Sequence, residues 1–202
     1  MNNYIMVNGQ RIELTQEQVE RIIAASAVAE RELSSFTEGD VVKIGQHEMV
    51  VLEHAGAATV LIRKDLIADD EEFGENNNYN GSNVDAICNR FGDDLISTVG
   101  EENVLRLAVD LTSDDGLKDY GSVTRLAALL TADQYRRYVH ILDKHKLDAW
   151  WWLATPHSTP THENANWVRC VSPSGDISIG SYNSGYGVRP FCILKSNIFV
   201  SA

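Results

Sequence analysis

The sequence predicts an α+β fold: an antiparallel sheet with two packed helices, plus an N-terminal helical appendage. Three observations predict it. Short β-rich runs separated by Gly and Pro occupy both halves of the chain. Two stretches carry capping signals followed by apolar residues at helical spacing. The order is strands, helices, then strands, without the βαβ alternation of a parallel doubly wound sheet.

Asn8-Gly9 between Ile5-Met6-Val7 and Ile12–Leu14 signals a tight hairpin. Thr15 with Gln18 makes a capping box, and Val19, Ile22, Ile23, Ala27 and Leu33 continue at helical spacing. This helix is expected to pack on its own domain or on a copy of itself. The pattern changes near Phe36, so residues 1–36 form one unit and 37–202 a second. Val41–Ile44, Glu48–Glu53 and Thr59–Ile62 predict an antiparallel meander turning at Gly45-Gln46 and Gly56-Ala57. The polar, Asn-rich stretch from Asp69 to Asn83 reads as a loop. Ser82–Leu95 reads as a helix with Val84, Ile87, Cys88, Phe91 and Leu95 on one stripe. Asp110–Gly121 is again loop. Thr131 and Gln134 box the start of a second helix carrying Tyr135, Tyr138, Val139 and Leu142, with Lys144, His145 and Lys146 in its last turn. Trp150–Leu153, Trp167–Val171, Ile177–Tyr182, Val188–Leu194 and Ile198–Val200 are strands, with a hairpin at Ser172–Asp176.

Charge and cysteine content narrow the function classes. Acidic residues number 29 against 17 Lys and Arg, giving a formal charge of −12. Such a surface repels nucleic acid and anionic membrane, so neither is expected as a partner. No apolar run is long enough to span a bilayer, and the N-terminus lacks a secretory pattern. Three scattered cysteines argue for buried thiols in a reducing compartment. The expected location is the host cytoplasm or a virion.

From Trp150 the residues become distinctive. Trp151-Trp152-Leu153-Ala154-Thr155-Pro156 precedes a polar loop, Val168–Gly175, and Gly187-Val188-Arg189-Pro190-Phe191. Upstream, Gly39-Asp40, Asn76-Asn77-Asn78-Tyr79 and Leu129-Leu130-Thr131 occur in matching order. The stretch from Phe36 to Ala202 resembles a domain-of-unknown-function family of Gram-positive gut bacteria and their phages. The resemblance implies a C-type-lectin-like fold, related to formylglycine-generating enzymes and retroelement variable proteins. It implies an irregular sheet displaying long loops and fixes no activity. Ala154 departs from the family, where Arg is common.

Trp150 and Trp152 are expected to share one face of their strand, with Trp151 opposite. All three suit core packing, although one face could instead serve binding. Arg189, in an apolar strand, is expected to be structural, bridging backbone carbonyls or a carboxylate. The loop at 156–166 offers His157, Ser158, Thr159, His162, Glu163 and Asn164; the turn at 183–187, with Tyr182, offers Asn183, Ser184 and Tyr186. These are paratope-like residues. In lectin-like folds this end commonly meets the partner.

No catalytic residue, cofactor or metal site is expected. His157, His162 and Glu163 lack a fourth zinc ligand, and Asp110, Asp114, Asp115 and Asp119 do not follow an EF-hand spacing. The expected function is a phage-associated, non-catalytic module binding a protein or glycan, with homo-oligomerisation through the N-terminal helix. The alternatives are an intracellular inhibitor of a host effector and a metal-dependent enzyme.

Overall fold

A computed structural model describes residues 4–7, 9–20 and 30–202. Strands β1 (Tyr4–Val7) and β2 (Gln10–Glu13) form the expected hairpin. The Thr15 hydroxyl accepts from Gln18 N–H and the Gln18 carboxamide accepts from Thr15 N–H, closing the capping box before helical residues 16–20. Asn8 and the expected helical positions Ile22, Ile23 and Ala27 lie outside the described residues. Leu33 is not helical as expected. It follows β3 (Arg31–Glu32) in a 3-10 turn (Leu33–Ser35), because β3 pairs with β17 (Phe199–Val200) near the other end of the chain. Leu33 and Phe36 are buried in the same core as the strands that follow.

The architecture is mixed α+β and dominated by sheet. The largest sheet contains β4 (Val41–Ile44), β5 (His47–Ala55), β6 (Ala58–Arg63), β8 (Val104–Leu105), β11 (Ala127–Leu129) and β16 (Pro190–Lys195), all antiparallel. The meander β4–β5–β6 turns where expected. Alternation places Met49, Val51, Leu61, Cys192 and Leu194 on one face, under Phe91 and Leu95 of α1 (Asn83–Val99). Val50, Leu52, Val60, Ile62 and Phe191 point the other way, toward α2 (Ala132–Leu142) and the tryptophan strand. A sheet covered on both faces needs nearly continuous apolar strands, which Met49–Leu52 and Val60–Ile62 supply.

A second sheet runs in the order β14 (Ile177–Ser181), β13 (Trp167–Val171), β12 (Trp151–Pro156), β15 (Gly185–Val188) and β7 (Ala68–Glu72). Strand β7 corrects the expected loop from Asp69. Its charged side chains occupy a sheet edge, where pairing to β15 runs through the backbone and solvent takes the carboxylates. A short hairpin of β9 (Leu107–Asp110) and β10 (Ser122–Arg125) carries the expected loop between them.

Both capped helices form. Ser82 caps α1, accepting from Asp85 N–H. Thr131 and Gln134 complete the box on α2. On α2, Val139 is 36% exposed and Ile141 takes the buried position expected for it. The helix ends at Leu142, so Lys144 and His145 belong to a 3-10 turn (Asp143–His145). His145 is half-buried, with its Nε2 3.0 Å from the Gly39 carbonyl oxygen.

The tryptophan motif joins the layers. Trp151 packs edge-on to Tyr135 of α2, and Thr155 Oγ1 accepts from Ala132 N–H at 2.9 Å, satisfying the first turn of that helix. Ala154 N–H donates to the Leu130 carbonyl, tying the two sheets together. Arg189 is 1% exposed. It donates to the carbonyls of Arg63, Lys64 and His145 at 2.8, 3.0 and 3.1 Å and lies over the Trp151 ring. Burial pulls its pKa down to about 10, so it remains a cation at neutral pH. Arg189→Ala orphans three carbonyls and leaves a cavity. Denaturant unfolding should show a loss of about 3 kcal/mol or more. Arg189→Lys, whose donors all radiate from one nitrogen, should recover only part of it.

Candidate functional site

Four segments converge at one end of the second sheet. They are residues 73–82, the loop 111–121 between β9 and β10, the loop 157–166 between β12 and β13, and the turn 182–184 between β14 and β15. Backbone bonds set their register: Tyr182 N–H donates to the Asn166 carbonyl, Phe73 N–H to the Tyr182 carbonyl and Asn77 N–H to the Ala165 carbonyl. The two polar segments named from the sequence therefore adjoin.

A buried carboxamide holds this end together. Asn77 is 0% exposed. Its Nδ2 donates to the Ser158 and Trp167 carbonyls at 2.9 and 3.0 Å, and its Oδ1 accepts from the Tyr120 hydroxyl at 2.7 Å. One side chain thus links three of the segments and the start of β13. Satisfying both its donors and its acceptor is what makes its burial tolerable.

Asp115 forms a second knot. Its carboxylate accepts from the Ser113 hydroxyl at 2.5 Å and the Ser158 hydroxyl at 2.6 Å, and lies 2.9 Å from His162 Nδ1. Asp119 accepts from the Thr161 hydroxyl at 2.7 Å and from its N–H at 3.2 Å. Nearby, Asp114 pairs with Arg169 and lies 3.7 Å from Arg136. The carboxylates of 111–121 are distributed among separate protein partners. Among the described residues no group of three or more His, Cys, Asp or Glu could hold a metal ion.

The expected contact residues divide accordingly. Ser158 and Thr159 are buried at 3% and 0% exposure, which removes them from any contact surface. Ser158 is spent on Asp115, and the Thr159 carbonyl accepts from the His162 and Asn164 N–H groups. His157 is half-buried, its N–H bonded to the Trp167 carbonyl and its Nδ1 buried without a partner. His162 and Glu163 are exposed, the latter at the left-handed tip (φ 52°), and Asn164 is half-buried. Asn183 is exposed and accepts from the Ser181 hydroxyl; Tyr182 and Ser184 are half-buried.

Tyr186 lies below the tip, sandwiched between Trp150 at 5.5 Å and Trp152 at 4.5 Å. The two tryptophans therefore share a face, and Trp150 is 38% exposed while Trp152 is buried. Gly180 permits this stack, because a Cβ there would fall 2.4 Å from the Tyr186 ring.

Sequence reasoning missed Asn77, Asp115 and Asp119 as fasteners, and Trp167, 40% exposed where β13 leaves the loop. It also missed the groove of about 250 Å³ lined by Glu75, Asn76, Asn78 and Asn80. The run of asparagines was the one available signal, and it marked a loop without saying which amide turns inward.

The loop end presents amides, hydroxyls and aromatic faces to solvent. The Ser158 hydroxyl is donated to a carboxylate instead of facing a histidine base. The thiols of Cys88, Cys170 and Cys192 are free and buried, and burial pushes each up to about 12.

Asn77→Ala should cost about 2–3 kcal/mol in denaturant unfolding and release the 157–166 loop, seen as faster amide exchange there. The Ser113 and Ser158 hydroxyls, with His162, hold the Asp115 carboxyl well below the usual aspartate range. A depressed carboxyl contributes stability that is complete above the ordinary value near 3.9 and is lost as pH falls through the lower folded value. In NMR, the amide signals of Ser158, and of Thr161 beside the similarly depressed Asp119, should hold their dispersion from pH 7 down through the ordinary aspartate value near 3.9 and lose it only well below that value. Asp115→Asn should loosen the loop across the whole range.

No helix among the described residues is long and apolar enough to cross a membrane. No curated protein and no solved structure matches the chain significantly. A family model described as a domain of unknown function (DUF6273) matches residues 109–196, from the end of β9 through β16, so this stretch is similar to that family, and the Gly39-Asp40 and Asn76–Tyr79 motifs fall outside the match.

Proposed function

We propose that the chain is a non-catalytic, phage-associated binding module of C-type-lectin-like type. It recognises a protein or glycan through the loop end of the second sheet. The observation that carries this reading is the convergence of four segments, fastened from within by Asn77 and Asp115, with His162, Glu163, Asn183, Asn76 and Trp167 left exposed at the surface. Loops fixed before binding lose little entropy when a partner docks, and variable polar tips on a rigid frame are a common recognition design. Two features support the lectin-like assignment: the pairing of β3 with β17, which brings the ends of the described core together, and the irregular second sheet with its long loops.

A second reading is favoured by the acidic edge. Asp69, Asp70 and Glu72 are exposed on β7, on a chain of net charge −12. An inhibitor occupying the basic face of a host effector would use such an edge.

Screening the immobilised chain against a bacterial glycan array and a displayed peptide library tests both readings. Glu163→Ala, Asn183→Ala and Asn76→Ala combined should leave the melting temperature within about 2 °C, since surface changes of this kind cost little. They should weaken any hit at least tenfold. Hits that survive this variant but vanish with Asp69, Asp70 and Glu72 neutralised, or at about 0.5 M salt, would move recognition to the acidic edge. Hits indifferent to both variants would refute the loop end as the binding surface.

A further inference from the structure

The second sheet has two outer strands, and their edges are guarded differently. On β7 the exposed side chains are Asp69, Asp70 and Glu72. Acids along an edge discourage pairing with another strand. At the opposite end of the sheet β14 reads Ile177-Ser178-Ile179-Gly180-Ser181, without charge or proline and with β13 as its sheet neighbour on one side only. Ile179 is 40% exposed, and so is Trp167 on β13. Trp167 lies opposite Ser181 and Arg169 opposite Ile179, which makes Trp167 and Ile179 diagonal neighbours on one face.

The bonds at the two ends of β14 fix which way its backbone groups point. Ser172 N–H donates to the Asp176 carbonyl before the strand, and Tyr182 N–H donates to the Asn166 carbonyl after it. Bonded and non-bonded pairs alternate along an antiparallel ladder, so between these ends Cys170–Ser178 and Val168–Gly180 are the bonded pairs. The N–H and carbonyl groups of Ile177, Ile179 and Ser181 therefore point away from β13. The Ser181 carbonyl accepts from Ser184 N–H and keeps a second lone pair. Among the described residues the outward groups of Ile177 and Ile179 have no hydrogen-bond partner. An edge of this kind is a template for another strand.

We infer that β14 pairs antiparallel with β14 of a second copy of this chain, about a two-fold axis at Ile179. In that register Ile179 meets Ile179 of the copy, and Ile177 meets Ser181. Each of these pairs exchanges the groups left outward on both strands. The contact is isologous, so it consumes both open edges and stops at two chains. Charge selects this edge. Copies of net charge −12 repel, and β14 brings no charge to the seam. Each Asp176 falls opposite Tyr182 of the other copy, away from its own counterpart. One five-residue strand covers less than the roughly 800 Å² per partner of a standard interface, so the dissociation constant is on the order of 10–100 μM. Antiparallel pairing also sends the two loop ends to opposite poles of the joined sheet.

Sedimentation equilibrium of the full chain from about 5 μM to about 1 mM should show one chain converting to two and nothing larger. Amide hydrogen exchange, followed by NMR across the same range, locates the seam. The Ile177, Ile179 and Ser181 amides should gain protection as concentration rises, whereas Ser178 and Gly180, already bonded to β13, should be protected throughout. Ile179→Lys sets two ammonium groups face to face at the axis and should weaken association at least tenfold. Ile179→Val keeps an uncharged β-branched side chain there and should hold the constant within about threefold. Both changes fall at an exposed position, and the exchange measurement on the parent chain needs neither variant. A chain that stays single at about 1 mM, growth into open filaments, or undiminished association of folded Ile179→Lys would each overturn the inference. So would a dimer whose β14 amides exchange as in the monomer, as one built on the N-terminal helix would show.

Discussion

A carboxamide with no access to water must find its partners inside the protein, and Asn77 finds them only where several chain segments meet. Its two donors and its acceptor are met by Ser158, Trp167 and Tyr120, which come from different loops and a strand start. Each of those groups is also backbone, or an aromatic hydroxyl on a fixed ring, so the geometry leaves little slack. The loop end is irregular in secondary structure yet closely determined in position. Asp115 repeats the principle with a carboxylate, drawing in Ser113, Ser158 and His162. Polar networks of this kind specify one arrangement because a partly satisfied version is worse than an apolar core.

The frame beneath obeys a different constraint. The large sheet is apolar on both faces and must be covered twice. Helix α1 covers one face. Helix α2 and the tryptophan strand cover the other, and Thr155 and Trp151 make them a single layer. Arg189 occupies the junction, bonding the end of β6, the residue after it and the turn after α2. It does with one cation what three separate caps would otherwise do.

Much of this frame was legible in the sequence because the signals are local. The capping boxes at Thr15 and Thr131, the turns at Gly45 and Gly56, and the hairpin at Ser172–Asp176 are each written within a few residues. The consecutive tryptophans disclosed their faces through the two-residue period alone. What failed was nonlocal. The Ala68–Glu72 run looks like loop by composition and becomes a strand because β15 offers it backbone partners from over a hundred residues away. Ser158 and Thr159 look like contact residues by type, yet Asn77, about eighty residues upstream, and the loop at Asp115 draw that segment inward. A polar residue in a loop faces either solvent or another loop, and residue type does not distinguish the two.

The same distinction bears on the meaning of the charge. A count of 29 acids suggests a uniformly repulsive surface, but many of the carboxylates are structural. Asp85 holds Arg125, Glu53 takes Arg137 and the Tyr138 hydroxyl, Asp114 binds Arg169, and Asp94 meets His47. Those paired with arginine are neutralised where they lie. The remaining exposed charge is therefore unevenly spread, with Asp69, Asp70 and Glu72 gathered on the β7 edge. A net charge repels anionic partners only where it is exposed, so the −12 average does not describe the amide-rich loop end residue by residue.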